Sequence, residues 1–246
     1  MNQQDEHFIG KVKEIRRYPV KSILGESLSS VSIDHRGFLG DRLWAIKNSN
    51  GKFGSGKTTR RFQEMKGLFQ YRARYEGSIP IVTMQDGMEY RGDDPTVHET
   101  LSERLGYPVT LVQEESISHF DEGPVSIITT SALRMLSEQL GEPVDPRRFR
   151  ANILMDTEGT GYIEDNWVDR LIQVGPTVAL RVVAPLQRCV MVNNTQEELQ
   201  QDARVLRAIA HNHGATFGVW AKVESFGEVN VGDEITLSSK HDSLSL

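Results

Sequence analysis

Cys189, the one cysteine of this chain, stands directly after an arginine in the stretch PLQRCVMV. The thiolate is the nucleophilic and metal-binding form of cysteine, and an adjacent guanidinium favours it when both groups face a cleft. As a soft ligand it suits metals that prefer sulfur, and it is also a sulfur nucleophile. A free cysteine is also commonly a small buried hydrophobe, so the residue type alone leaves both fates open. With no second cysteine there is no C-x-x-C pair and no internal disulfide, which excludes zinc-finger and thioredoxin chemistry.

Basic residues beside turns form the second set. They occur in YPVKS at 18–22, GDRLW at 40–44 and RRFRAN at 147–152. Brought to one place, they would grip a phosphate through arginine forks and backbone N–H groups; taken singly, they are exposed loop charges. The seven histidines show no metal-ligand spacing. His211 and His213 fall two apart near the end of a predicted helix, on different faces, and are expected to be solvated. No G-x-S-x-G, H-E-x-x-H or paired-carboxylate motif is present.

The stretch GKFGSGKTT at 51–59 matches the phosphate-loop pattern G-x-x-x-x-G-K-[ST] letter for letter. A working loop of that kind needs a buried parallel strand leading into it and a helix N-terminus leading out. Here KNSN separates the loop from the preceding apolar run, and TTRRFQEMKGLFQYRARY turns quickly back to strand pattern in antiparallel surroundings. The match therefore reads as a Gly/Ser-rich connection carrying a lysine, with a nucleotide triphosphatase as the remote alternative.

Size and composition set the frame for these residues. The chain has 246 residues, 38% hydrophobic and 25% charged, which suffices for one sizeable core or two modest ones. A net charge of −6 gives no support to broad nucleic-acid binding, while leaving room for a local basic pocket. The opening MNQQDEHFIGKVKEI has no signal-peptide core, and no segment approaches the roughly 18 apolar residues of a membrane span. The expectation is a cytoplasmic protein without a membrane partner.

The elements that must position the chemistry are mostly strands. FIGKVKEIRRYPV, LSSVSID and DRLWAIKN alternate apolar and polar residues, and the turn signal NSNG pairs the last with the segment after it. Helices are predicted over 95–106, 130–141 and 195–214, the first two closed by Gly106 and Gly141. RFRANILMDT reads as strand, and LIQVGPTVALRVVAPLQRCVMV gives two more. The tail SSKHDSLSL is polar and reads as frayed. Short strands with few helices indicate a β-rich α+β fold with barrel-like sheets. A boundary is placed near 114–124, dividing 1–115 from 120–240, with strands free to be shared between the halves.

Together these pieces resemble the molybdenum cofactor sulfurase C-terminal (MOSC) domain family with its N-terminal β-barrel companion. The matching residues are YPVKS, GFLGDRLWAI, RFRANILM, EDNW, RCVMVN, FGVWAKV and GEVNVGDEI, in family order along nearly the whole chain. The resemblance implies a MOSC-type β-barrel, a smaller N-terminal barrel-like region, a few flanking helices and a molybdenum–pterin cofactor. In relatives such as the mitochondrial amidoxime-reducing component, the matching cysteine ligates molybdenum, which falls here on Cys189. The family's pterin and phosphate anchors fall on Lys21, Ser22, Arg42, Thr130, Ser131, Arg150 and Asn152, with Arg188 beside the thiol. Asp165 of EDNW is a substrate-side carboxylate or a structural cap. The chain departs from many relatives after the D-R-x-W strand, where GKFGSGKTTRRFQEMKGL replaces a stretch like T-x-R-x-x-P; two outcomes are open, a reshaped pocket rim or Lys57 and Arg60 supplied to the cofactor's anion. The resemblance leaves two functions open. One is an oxidoreductase acting on small N-hydroxylated substrates, with electrons from a separate protein because no cysteines remain for an iron–sulfur domain. The other is a carrier holding a persulfide on Cys189, loaded by a cysteine desulfurase-like donor.

Overall fold

The computed structural model describes residues 7–238; the polar tail from residue 239 lies outside them. Seven strands close into a barrel: His7–Arg17, Val125–Thr129, Ile153–Asp156, Leu171–Val174, Val178–Gln187, Thr216–Ser225 and Glu234–Leu237. Around the barrel, 153–156 neighbours 125–129, then 216–225, 178–187, 171–174, 234–237 and 7–17, which returns to 153–156. All pairs are antiparallel except 125–129 with 153–156. Inward positions carry β-branched and aliphatic residues such as Val12, Ile15, Ile127, Ile153, Val182 and Val219, all essentially sealed from solvent. Alternation along each strand puts these on one face, and closure leaves the sheet without an exposed edge.

The barrel is assembled from both ends of the chain. Strand 7–17 supplies the closing pairings, and Gly227–Asn230 pairs with Ser30–Asp34 from the N-terminal portion. The strands between residues 44 and 113 form two smaller sheets around a separate core that includes Val20, Ile46, Leu68, Val82 and Leu101. One of these carries Trp44–Asn48 between Val109–Gln113 and Phe53–Ser55, so the NSNG turn does join paired strands. A third core lies between the barrel and two helices, α2 (Thr130–Leu140) and α3 (Ala203–His213).

Helix ends obey local chemistry. α1 (Thr96–Leu105) closes on Gly106, and Asp94 accepts from the Thr96 backbone N–H at 2.9 Å. α2 is capped by Thr129, which accepts from Ala132 N–H, and closes on Gly141. The helix expected over 195–214 begins only at Ala203, because Asp202 caps it there. Its predicted first turns are spent on a 196–199 bridge held by reciprocal backbone hydrogen bonds. Strand structure expected over RFRAN is likewise absent. Pro146–Phe149 forms a single 3-10 turn capped by Asp145, and the strand starts at Ile153.

Asp41 holds the 40–44 turn against the chain leaving strand 7–17. Its carboxylate is fully buried, accepting from the Tyr18 N–H at 2.8 Å and pairing with Arg42. Replacing it with Ala would leave a buried donor and a half-buried cation without their partner. Asp41→Ala is expected to lower unfolding free energy by about 3–5 kcal/mol, read by chemical denaturation, and Asp41→Asn by less. An unchanged denaturation midpoint for the alanine variant would contradict that role.

Candidate functional site

Four connections converge at one end of the barrel: the turn after Tyr18, the 40–44 turn, the 146–150 turn and the turn directly after strand 178–187. Between them lies a cleft lined by Lys21, Ser22, Arg42, Arg148, Arg150, Arg188 and Cys189, with Lys57 at its rim. Six cationic side chains face it against two carboxylates, Asp121 and Glu122. On a chain of net charge −6 this is a strong local reversal of sign.

The backbone is bent to achieve it. Ser22, Arg42 and Arg150 all hold left-handed conformations, with φ of 64°, 50° and 51°, and they are three of six such non-glycine residues among those described. Each costs on the order of 1 kcal/mol against ordinary backbone, so the surrounding contacts must enforce them. They do: Arg42 N–H donates to the Tyr18 carbonyl at 2.7 Å, and Arg150 N–H to the Arg147 carbonyl at 3.1 Å.

The guanidinium groups are held in place but incompletely satisfied. Arg42 Nη2 donates to the Arg150 carbonyl at 3.0 Å. Arg150 stacks its guanidinium over the Tyr18 ring at 4.2 Å and the Phe69 ring at 5.1 Å. Arg188 donates Nε to the Phe217 carbonyl at 2.8 Å and Nη1 to the Phe149 carbonyl at 3.0 Å. What remains is a set of sealed donors without partners: Nη1 of Arg148, both Nη atoms of Arg150 and Nη2 of Arg188. Burial pulls the Arg150 and Arg188 groups down to about 10, which leaves both cationic at neutral pH. Buried donors are normally satisfied, so four idle nitrogens on three residues that line one cleft make it a candidate anion site.

Cys189 caps the 3-10 turn Val190–Asn193 in extended backbone, half-buried and free. It lies in the electrostatic field of Arg188. Among the described residues, no group of three or more His, Cys, Asp or Glu side chains is arranged to hold a metal ion. One free thiol beside a cluster of guanidinium groups is a donor set suited to a metal that arrives with ligands of its own on an anionic carrier. The residues fit such a group.

Lys21 is the most deeply buried cation, only 2% exposed. Its ammonium donates to the His119 carbonyl at 2.8 Å, pairs with Asp121 at 3.0 Å and sits 4.4 Å from the Phe62 ring centre. Burial pushes it down to about 8 from an ordinary 10.5, with Asp121 opposing and Arg42 and Arg150 adding to the fall. Because the unfolded amine keeps its proton to higher pH, stability rises between about 8 and 10.5 as the buried charge is discharged. Anion binding runs the other way. Pyrophosphate affinity measured by calorimetry is expected to fall as pH rises through about 8, and Lys21→Met should flatten that dependence. An unaltered pH profile in that variant would remove Lys21 from the anion site.

Four of the expected residues lie elsewhere. Thr130 and Ser131 begin α2, where their hydroxyls bond the Thr157 carbonyl at 3.1 Å and the Gly161 carbonyl at 2.7 Å. Ser126, at the other end of the preceding strand, does line the cleft. Four residues of strand separate the two sites by about 13 Å. Asn152 lies behind the wall: its Oδ1 accepts from the Ser126 hydroxyl at 2.7 Å and its amide donates to the Arg16 carbonyl at 3.3 Å. Asp165 is bound to His213 at 2.6 Å, away from the cleft. That pair corrects the expectation of a solvated His213, whose ring also stacks on Tyr162 at 3.7 Å. Beside it, burial raises the Glu164 carboxyl to about 7.

Tyr18 and Met191 join the site without having been singled out by residue type, and Arg148 joins it from the basic set of RRFRAN. Arg148 and Arg150 leave one tight turn, so RRFRAN contained the signal; Tyr18 gave none, since its role is to underlie two arginines in space.

The phosphate-loop match has no phosphate-loop geometry. Phe53–Ser55 pairs parallel with Phe62–Glu64, not antiparallel as expected, and no helix leads out of the loop. Thr58, in the place of a magnesium ligand, accepts from the Glu64 backbone N–H at 3.1 Å. What the loop does supply is Lys57, exposed at the cleft rim.

Gly218 ties another sequence feature to this end of the barrel. Its φ is +75°, and an added Cβ would stand 2.4 Å from the Ile127 carbonyl oxygen, so FGVW requires glycine there.

Fold and site thus define a β-barrel protein whose barrel end carries a lone thiol within a strongly cationic cleft. The chain belongs to the MOSC domain family: the MOSC domain model matches residues 110–236, and the MOSC N-terminal beta barrel domain model matches 9–92. It is similar to a molybdenum cofactor sulfurase from Oryza sativa subsp. japonica, with 24% identity over 243 residues. That match covers 77% of this chain but only 29% of the sulfurase. The crystal structure of the YUAD protein from Bacillus subtilis shares the fold, with a TM-score of 0.53 at 15% identity, covering 94% of this chain and 96% of that one.

Proposed function

We propose that the cleft binds a molybdenum–pterin cofactor and that the protein is an oxidoreductase reducing N-hydroxylated compounds with electrons from a separate protein. The observation that carries this is the ring of partnerless guanidinium nitrogens of Arg148, Arg150 and Arg188 beside Cys189. Arg150, Arg188 and Lys21 would hold the anionic end of the cofactor, and the Cys189 thiolate would ligate the metal. When bound, molybdenum would supply two-electron redox chemistry. Reduction of N–OH to N–H with release of water takes up two electrons and two protons. The chain's own part is to fix the group, keep its anion dry and leave one side open to substrate.

A second reading is a sulfur carrier, favoured by the similarity to a molybdenum cofactor sulfurase. The Cys189 thiolate would attack the outer sulfur of a donor persulfide, forming Cys189–S–SH and releasing the donor as its thiolate. Elemental analysis and an absorption spectrum of protein made in a cofactor-producing host separate the two. Near-stoichiometric molybdenum supports the redox reading. Little metal, with thiocyanate released by cyanide from the parent and not from Cys189→Ser, supports the carrier.

A further inference from the structure

The acidic stretch EESISHFDEGP, 114–124, carries the chain from strand Val109–Gln113 to the barrel strand Val125–Thr129 without regular structure. It is pinned at both ends. Glu114 accepts from Arg36 Nε at 2.8 Å and Nη2 at 2.7 Å, and from the His119 N–H at 2.7 Å. The His119 ring is buried edge-on against Phe53, with centroids 4.7 Å apart, and the Arg36 guanidinium covers the Phe120 ring. At the other end Gly123 packs on Trp220, where an added Cβ would stand 1.9 Å from the indole. Asp121 and Glu122 span the gap between these anchors and line the cleft.

Asp121 and Lys21 form an unequal pair. Lys21 is 2% exposed, and its polar contacts come from this stretch, the His119 carbonyl at 2.8 Å and the Asp121 carboxylate at 3.0 Å. The Asp121 side chain is 50% exposed, so turning it out to water loses little. The ammonium cannot follow. Whatever takes the place of Asp121 must itself be anionic, because a buried ammonium left without a counterion is costly. The same carboxylate is felt by Arg150, whose Nη atoms are both idle, and it opposes the fall that burial imposes there.

We infer that Asp121 is a tethered counter-anion: without ligand it occupies the place of the ligand's anionic group at Lys21, and an incoming anion displaces it to solvent. A carboxylate built into the chain competes at an effective concentration that a short tether sets at about millimolar or above. Every anion that uses Lys21 is therefore weakened by the fraction of molecules whose Asp121 has already left. Such a factor pushes small anions held at one point below their working concentrations. It leaves the cleft to ligands that also engage the idle nitrogens of Arg148, Arg150 and Arg188. Asp121 is thus a specificity-determining residue of this site. The inference rests on the reading of the cleft as an anion site and needs neither metal nor redox chemistry.

The test is calorimetry with pyrophosphate at about pH 6, where Lys21 holds its proton. Asp121→Asn is expected to bind about tenfold more tightly than the parent, yet to melt at a lower temperature without ligand, because Lys21 has lost its counterion. A residue serving only the fold would lower both. Glu122→Gln removes the same charge from the same cleft without breaking an ion pair, and should gain at most about threefold. In a Lys21→Met background the gain from Asp121→Asn should shrink to that level, since no ammonium is left to compete for. Aspartate carboxyl carbon-13 resonances give a readout on the parent itself. That of Asp121, assigned by its loss from the double variant, should move on pyrophosphate saturation to the position of a solvated aspartate. Equal gains from Asp121→Asn and Glu122→Gln would reduce the effect to net charge and overturn the inference. So would a gain that persists undiminished without Lys21, or an unmoved Asp121 resonance while pyrophosphate binds. Binding to the parent with no gain in Asp121→Asn would overturn this inference alone. Failure of pyrophosphate to bind parent and variant alike would overturn the anion reading of the cleft and this inference with it.

Discussion

Cys189→Ala, produced beside the parent in a host that makes the cofactor, is expected to retain less than about a tenth of the parent's molybdenum. The chain offers the metal a single thiol, a far stronger donor than the neutral Met191 thioether of the same cleft, and no group of three or more His, Cys, Asp or Glu side chains among the described residues can replace it. The anion cradle would survive the substitution, because none of its hydrogen bonds uses the thiol: Arg188 is held by the carbonyls of Phe217 and Phe149. Cofactor washed from the variant should therefore leave pyrophosphate binding close to the parent's. Cys189→Ser keeps the size but not the softness, and should lose metal almost as fully. Full metal occupancy in either variant, by elemental analysis against protein concentration, would remove Cys189 from the metal site and with it the redox reading.

The second large effect falls on Arg150 and has two opposite signs. Its backbone is left-handed, its guanidinium is sealed, and both of its Nη atoms lack partners. In the cofactor-free protein that is a desolvated charge compensated by the Tyr18 and Phe69 rings and, without direct contact, by the Asp41 and Asp121 carboxylates. Arg150→Met preserves the bulk and the same left-handed backbone cost while removing the charge. It is expected to raise unfolding free energy of the cofactor-free protein by about 1–3 kcal/mol. The same variant should lose the stabilisation that pyrophosphate gives the parent, which amounts to about 2.7 kcal/mol at a hundredfold excess over Kd. Thermal melts with and without pyrophosphate read both effects at once. A variant that is less stable without ligand, or that still gains stability from pyrophosphate, would show that Arg150 serves the fold and not the anion.

Both expectations depend on a geometry that only partly shows in the residue order. Alternating patterns in FIGKVKEIRR and ALRVVAP are sufficient for barrel strands, since inward β-branched residues must alternate with outward polar ones. Glycines fix the ends of α1 and α2 for the same local reason. The start of α3 differs from expectation because TQEELQQ has helical composition, while the competing 196–199 bridge is set by its neighbours. Thr130 and Ser131 fall outside the cleft because adjacency to a motif says nothing about which end of a strand faces the ligand.

By itself, the sequence determined that this chain makes a strand-rich fold with one free thiol and basic residues placed at turns. Those are local facts, fixed by side-chain alternation, by the conformations Gly and Pro permit and by what each functional group can bind. Only the tertiary structure decided which basic residues meet. Lys21, Arg42, Arg150 and Arg188 are drawn together because strand 7–17 closes a barrel made largely from the other half of the chain. It also decided that Asp165 belongs to His213 and that Lys57 is a rim cation. The physical reason is range: hydrogen bonding and packing between residues a hundred or more positions apart depend on how the barrel closes, and no short window of residues encodes that.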